Sequence, residues 1–507
     1  MSPFSLARGQ SYPVTGILTA PPGTVVTLQE RGNQVLTVAA KTDGNKRLTQ
    51  TKFVFPQALE NGASYSVSIK KGPTSFATAI IKNGSGEING ASPVVYVVCD
   101  IKADLASRST DNKVTGTFYE STAPVIGGRG GDDGRYFAYV SYAAGLAGSS
   151  GRKRQIFWRD RHTNVTKLIS VGMNGQEGNG DSGSPAISAD GRSVAFESYA
   201  TNLVPIDTNG VRDVFVWSAD TNTITAVSDA PGNIEANAEA FEPTISGDGR
   251  LIAFTSSAST LTPGVDGTSQ VNVFLRDMRS GSVALISRDE KTGKAGGGSR
   301  PSICEDGSRI AFYSYFPLLR SDRNGLWDIY LWDGSAPKLK RLSLTAEGGE
   351  RNQGDESASR VVTPAISGNG KFVTFTTTAS NVVPNDRNKA QDVFVVDTET
   401  GRVVRLSLNN NAEECETDTP VGQGERVSLS YDGTWVAFST SSKKFGGGIV
   451  MKNLATGQAR VLTTAPGANV GRPDISREGG YVAFGTSEKM DSRFSSSGIF
   501  VRFAGAR

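Results

Sequence analysis

The chain has 507 residues, with 53 Lys+Arg against 50 Asp+Glu, one His and three Cys. A net charge of +3 excludes a strongly basic nucleic-acid binder, and a single histidine excludes a multi-histidine metal centre. Hydrophobic residues make up 37%, enough for a packed core, yet no run approaches the ~18 apolar residues of a membrane-spanning helix. The 59 glycines are scattered rather than set at every third position, which excludes collagen and suits a turn-rich β protein.

The opening MSPFSLARGQSYPVTG has neither a charged leading region nor an apolar run, so it does not read as a signal peptide. The protein is then either cytosolic or exported with its leader absent from this chain. Residues 1–103 read as about seven short strands: YPVTGIL, TVVTLQE, QVLTVAA, KFVFP, SYSVSIK, FATAIIK and PVVYVVC. Turns such as RGN, DGN and ENG separate them, which predicts a small antiparallel, Ig-like β-sandwich. The polar stretch IKADLASRSTD (101–111) reads as a linker. Cys99, Cys304 and Cys415 form no CxxC motif, so no zinc or thioredoxin-type site is present, and their pairing cannot be read.

From about residue 112 one sentence recurs. It reads SPAISADGRSVAFES (184–198), EPTISGDGRLIAFTS (242–256) and RPSICEDGSRIAFYS (300–314), then TPAISGNGKFVTFTT, RVSLSYDGTWVAFST and RPDISREGGYVAFGT. A worn copy, GGRGGDDGRYFAYVS, runs over 127–141. The turn residues Asp133, Asp190, Asp248, Asp306, Asn369, Asp432 and Glu478 mark seven copies. Each copy predicts four strands: a (P-x-I-S), a tight D-G turn, b (V-A-F-x-S), a loop, c (such as DVFVWS), a second tight turn, and d (such as VVRLSL). A four-stranded sheet cannot bury both faces alone, so the units must stack, and radial closure leaves few free edges. The expected fold is all-β: a seven-bladed β-propeller over 104–507, preceded by the sandwich. The last copy has no strand d of its own. The stretch NKVTGTF (112–118) is expected to supply it and close the ring.

In this topology the a–b and c–d turns share one face, and the long d–a and b–c loops share the other. The long-loop face is therefore the expected binding face. Its d–a segments carry more than twice as many acids as bases, and Glu413, Glu414, Glu416 and Asp418 crowd one of them. Such a face repels phosphate backbones and suits cations or a basic protein; a solvated face kept acidic for solubility is the plain alternative.

The b–c loops carry D-x-N-x-x-x-D: Asp207/Asn209/Asp213, Asp322/Asn324/Asp328 and Asp386/Asn388/Asp392, with Asp266/Thr268/Asn272 as a partial copy. Alternating oxygen side chains in a tight loop could ligate Ca²⁺. They could equally form Asx-turns, with the last Asp holding local backbone amides. GDSGSP (180–185) matches a serine-protease nucleophile segment, but the only base, His162, falls on the opposite face from Ser182, and such chemistry needs both together. SYDGTW (430–435) has the wrong spacing for a sialidase Asp-box and reads as an a–b turn. Trp327, inside DRNGLWD, is the best candidate for an aromatic presented to a partner or sugar, against the alternative of a loop anchor. Trp158, Trp217, Trp332 and Trp435 read as blade packing.

TNLVPIDTNGVRDVFVWS (201–218) and SNVVPNDRNKAQDVFVVD (380–397) resemble blades of the long-loop branch of the TolB-type propeller family. The N-terminal module is similar to small β-modules of bacterial surface proteins. In those a final V-x-C, here ending at Cys99, pairs with an earlier cysteine, and this chain has none earlier. The resemblance implies an exported protein that is periplasmic, secreted or at the cell surface. It also implies a non-enzymatic binding role toward a protein of the envelope. A carbohydrate-binding or adhesin role, with or without calcium, is the alternative; a propeller lyase or glycosidase ranks third. No catalytic constellation and no resident cofactor is expected.

Overall fold

The computed structural model describes the chain except residues 1–9, 21–24, 31–33, 40–48, 72–76, 90, 102, 106, 108–120, 266–269, 336–337, 353–362, 416–426, 464–469, 487–497 and 504–507. The chain divides into two compact units: Met1–Asp104 with Asp160–Val165, and Leu105–Arg159 with Thr166–Arg507. Among the described residues every regular element is a strand, apart from two short 3₁₀ turns. Among the described residues no helix is long and apolar enough to cross a membrane.

The N-terminal unit holds two four-stranded sheets. One orders Thr49–Glu60, Ser11–Ala20, Val94–Ile101 and Ala77–Lys82; the other Gln34–Ala39, Val25–Glu30, Ser64–Lys71 and Ser85–Glu87. All seven expected strands are present, with Ser85–Glu87 as an eighth. Alternation buries Val14, Leu18, Val26, Leu28, Phe53, Phe55, Val95 and Val97 in one core. The sheets are not wholly antiparallel: Ser11–Ala20 runs parallel to Val94–Ile101. The Gln34 side-chain amide bonds both the N–H and the C=O of Gln57, joining one sheet to the other.

The second unit contains seven four-stranded sheets in chain order, each a-b-c-d as the repeats predict. They are called here the first to seventh sheet. Strands b and c lie in register so that their aromatic residues face each other. Phe196–Phe215, Phe254–Phe274 and Phe312–Tyr330 have ring centroids 5.9, 5.9 and 6.0 Å apart. Each such pair contributes about 0.5–1.5 kcal/mol beyond its area. This is the physical content of V-A-F and D-V-F-V in the repeat. The D-G turn has an equally direct cause. Ser188, Ser246 and Ser430 donate to Asp190, Asp248 and Asp432, and each Asp then accepts an amide two residues on. The following glycines, Gly191, Gly249 and Gly433, take φ of 72–76°, which only glycine adopts freely.

The turns also link sheet to sheet. Gly128 N–H donates to Ala189 O, Ala189 to Gly247, Gly247 to Glu305 and Glu305 to Gly368; Asn369 donates to Tyr431 and Tyr431 to Arg477. The first and last sheets meet. Ile126, Phe137, Tyr139 and Phe157 share a core with Ala483, Ile499 and Val501, and Asp133 accepts from Ser476 Oγ and Glu478 N. The unit is a closed β-propeller. Its axial channel is lined at the turn end by strand-a residues of all seven sheets. Glu305 of the fourth sheet and Arg477 of the seventh form an ion pair of 2.8 Å at that end. Arg477 also lies 3.8 Å over the Tyr431 ring.

The fourth strand of the last sheet is Ala103–Leu105, ahead of the 112–118 segment expected there; residues 108–120 lie outside the described residues. Register explains the choice. In every interior sheet a Ser or Thr just past strand d accepts the second amide of strand c: Ser228 from Val214, Ser287 from Val273, Thr463 from Ile449. Ser107 does this for Ile499. The "linker" ADLAS is thus a strand-d sequence.

Candidate functional site: the long-loop face

The axial channel opens on the long-loop face between Ala123, Ser184, Glu242, Arg300, Thr363 and Arg472, each immediately before a proline. Five of them sit at left-handed φ: Ala123 51°, Ser184 46°, Glu242 53°, Arg300 54° and Arg472 39°. In five of the sheets strand a is bulged there, so its register slips between residues such as Phe241 and Thr244. A non-glycine residue in this region costs about 1–2 kcal/mol. The repeat pattern x-P conceals this strain and does not mark x as lining the mouth. Glu242 is well occupied: it accepts from Thr255 Oγ1 and Arg300 N at 3.1 Å each, and its Oε1 is 3.6 Å from Arg300 Nε. Burial pushes its carboxyl above the usual range, opposed by Arg300.

The D-x-N-x-x-x-D loops come next. Asn209, Asn324 and Asn388 each accept an amide two residues on, from Val211, Leu326 and Ala390, so the Asx-turn reading holds in all three. The last Asp of each is locked by the strand-d serine: Ser228 to Asp213 at 2.7 Å, and equally Ser343 to Asp328 and Ser407 to Asp392. In two loops an arginine of the same sheet lies between the carboxylates. Arg341 reaches Asp322 at 2.7 Å, Asp328 at 3.6 Å and Glu350 at 2.7 Å. Arg405 reaches Asp386 at 3.4 Å, Asp392 at 2.7 Å and Glu414 at 2.8 Å. A guanidinium therefore stands where calcium was one expectation. Burial pushes Asp386 up to about 6 even so, with Arg405 opposing. In the second sheet Ala226 holds the strand-d position, and Arg212 of the same loop pairs with Glu197 and Glu239 instead. Burial, then Asp213, raise Asp207 to about 6, and Asp229 is likewise raised to about 6 by burial and Asp213. Among the described residues no group of three or more His, Cys, Asp or Glu is disposed to hold a metal ion. Asp266 and Thr268 lie outside the described residues.

Among the expected partner-binding residues, Glu414 is tied to Arg405 and to Arg387 N, while Glu413 is held by Asn409. Glu416 and Asp418 lie outside the described residues. Trp327 is half-buried, packed on the core shared by the fourth and fifth sheets and 5.3 Å from Tyr315. The aromatics presented to solvent are others. Strand b ends in Ser141, Ser198 and Ser314, and the residue after each is an exposed tyrosine: Tyr142 39%, Tyr199 48% and Tyr315 50%. Met173, Ile206, Ile234 and Phe316 are also exposed, all in b–c or d–a loops. Ser182 is buried and bonded to Ser198 Oγ at 2.9 Å, as expected for strand packing rather than a nucleophile. Cys304 and Cys415 are buried and not joined in a disulfide.

No family model matches this chain. No curated protein matches it either. Solved structures similar to it include TolB from Acinetobacter baumannii, at 18% identity and TM-score 0.37, over 68% of this chain and 63% of that one. An oligogalacturonate lyase in complex with manganese is similar at 11% identity and TM-score 0.46, over 77% and 89%. The β-propeller domain of the Trilobed protease from Pyrococcus furiosus is similar at 15% identity and TM-score 0.46, over 76% and 93%. This chain spans just under two thirds of the TolB chain. The fold stands on the sheets described above.

Proposed function

We propose that this is an exported binding protein of the TolB-like kind, non-enzymatic, whose long-loop face holds a protein partner of the cell envelope or surface. One observation carries the reading: the exposed tyrosines Tyr142, Tyr199 and Tyr315 recur at one register position on that face. Met173, Ile206, Ile234 and Phe316 are exposed in loops of the same face, among acidic segments. Folding gains nothing from apolar side chains left in water, and aromatic residues enriched on one face are the usual mark of an interface. The acidic surround favours a partner with basic side chains. Glu242 at the channel mouth has its carboxylate engaged by Thr255 and Arg300, which supports a structural rather than an acid–base part for it. The test is capture from an envelope extract on wild type and on a Tyr142→Ser/Tyr199→Ser/Tyr315→Ser variant of unchanged melting temperature. A protein retained by the first and lost from the second supports the reading. Specific binding on a glycan array, abolished in the same variant, would replace it with a carbohydrate-binding role.

A further inference from the structure

The strand-d residue opposite the central aromatic of strand c is a coordinated part of each sheet. Arg341 stands opposite Tyr330 and Arg405 opposite Phe394, and both sheets start strand c with an aspartate. In the third sheet Leu285 stands opposite Phe274, and strand c starts with the neutral Asn272. In the sixth, Val461 stands opposite Val450, and strand c starts with Gly448. Acid and arginine come together or are absent together. The second sheet breaks the pattern. It has Asp207, Asp213 and, seven residues past Ser228 as in the sister loops, Glu235, but Ala226 stands opposite Phe215.

Three further features mark this place. Asp207 Oδ1 is buried and has no hydrogen-bond partner, whereas its counterparts Asp322 and Asp386 each face a guanidinium. Arg341 and Arg405 are 7% and 6% exposed, while Ala226 is reached by solvent. The residues before the first Asp and the Glu are Ile206 and Ile234, exposed by 66% and 61%. In the fourth sheet the same positions are Ser321 and Gly349, and in the fifth Asn385 and Glu413. The two strands of this rim are joined, since Thr208 bonds Glu235 and Asn209 donates to Ala236 O at 3.3 Å. Arg276 of the third sheet faces Asp229, whose carboxyl its charge favours in the ionised form, and not Asp207 or Asp213. It donates to the Asp229 carbonyl at 2.7 Å, much as Lys452, at its register position in the sixth sheet, donates to Leu406 and Leu408 carbonyls beside an intact Arg405.

We propose that the second sheet carries a socket for an arginine side chain of a partner protein, whose guanidinium takes the place of the absent strand-d arginine between Asp207, Asp213 and Glu235 while Ile206 and Ile234 seat its apolar neighbours. The two sister loops are the template: the same carboxylate set grips a guanidinium in both. Planar, forked donors fit such a set where a lysine would not. This deepens the protein-binding reading of the long-loop face and rests on it.

The probe is a blocked Leu-Arg-Leu tripeptide, with its citrulline and lysine counterparts, titrated calorimetrically into the whole chain. The arginine peptide is expected to bind at least tenfold more tightly than either. Ala226→Arg should raise the melting temperature and abolish peptide binding. Ile206→Ser with Ile234→Ser should weaken binding with the melting temperature unchanged, a readout that stands if Ala226→Arg fails to fold. Equal binding of the arginine and citrulline peptides overturns the proposal. So does a rise in melting temperature with millimolar Ca²⁺ that displaces the peptide, which would make the place an ion site. If Ala226→Arg loses the peptide but retains the partner captured by the tyrosine face, the socket's role is overturned while the face reading stands.

Discussion

Ser107 Oγ accepts a hydrogen bond from the Ile499 amide at 3.2 Å, across 392 residues of chain. The bond repeats what Ser228 does for Val214 and Ser287 for Val273 within single sheets. At the seam it joins the first strand of the unit to the last. Both groups are buried, so Ser107→Ala leaves an amide without an acceptor. The expected loss is about 1–3 kcal/mol of unfolding free energy, read by urea denaturation. An unchanged midpoint would show that the seam does not depend on this contact.

Arg405 serves three carboxylates, and Asp392 is 0% exposed. Arg405→Leu strands buried charge and is expected to cost about 3–5 kcal/mol. Pairing it with Asp392→Asn copies the third sheet, where Leu285 and Asn272 stand at these positions. The double variant should recover most of the loss in the same denaturation experiment. Equal loss in both variants would contradict the co-dependence of acid and arginine.

Asp207 has its carboxyl raised to about 6 by burial and by Asp213. A carboxyl near 3.9 when unfolded and near 6 when folded binds more protons in the folded state, so its contribution to stability is present below about pH 4 and is lost as pH rises through about 6. Asp207→Asn has no charge to bury. Its melting temperature should match wild type at pH 4 and exceed it above pH 6.5. The reverse order at high pH would mean that the carboxylate is stabilising where it lies.

Ala123 sits at φ 51° before Pro124 at the channel mouth. Glycine removes about 1–2 kcal/mol of left-handed strain and returns about 0.4–1 kcal/mol of unfolded-state entropy. Ala123→Gly is expected to stabilise by about 0.5–1 kcal/mol in chemical denaturation. A destabilised variant would show that the methyl group packs usefully there.

Period-two alternation and the D-G turn made the sheets legible, because both rules act within a few residues. The aromatic b–c pairs and the Asp–Ser turn bonds recur in nearly every copy, so repetition amplified them. The seam was misplaced because 112–118 looks like a strand by composition. The deciding feature was the single Ser107 in ADLAS, a register signal shared with VALIS and RLS that composition does not weigh. The arginine clamps were hidden for a different reason. D-x-N-x-x-x-D spans one loop, whereas its guanidinium comes from a strand 13 residues beyond the last Asp (Asp328 to Arg341, Asp392 to Arg405). Aligning the copies through strand d would have exposed both the clamps and the exception at Ala226. Trp327 was singled out for its residue type, but its neighbour in space, Tyr315, is the exposed ring, and only three-dimensional packing separates them.

The Glu305–Arg477 tie has a mechanical corollary. It ties the fourth sheet to the seventh across the tight-turn end of the bore, so two sheets that are not neighbours in the ring are braced against each other.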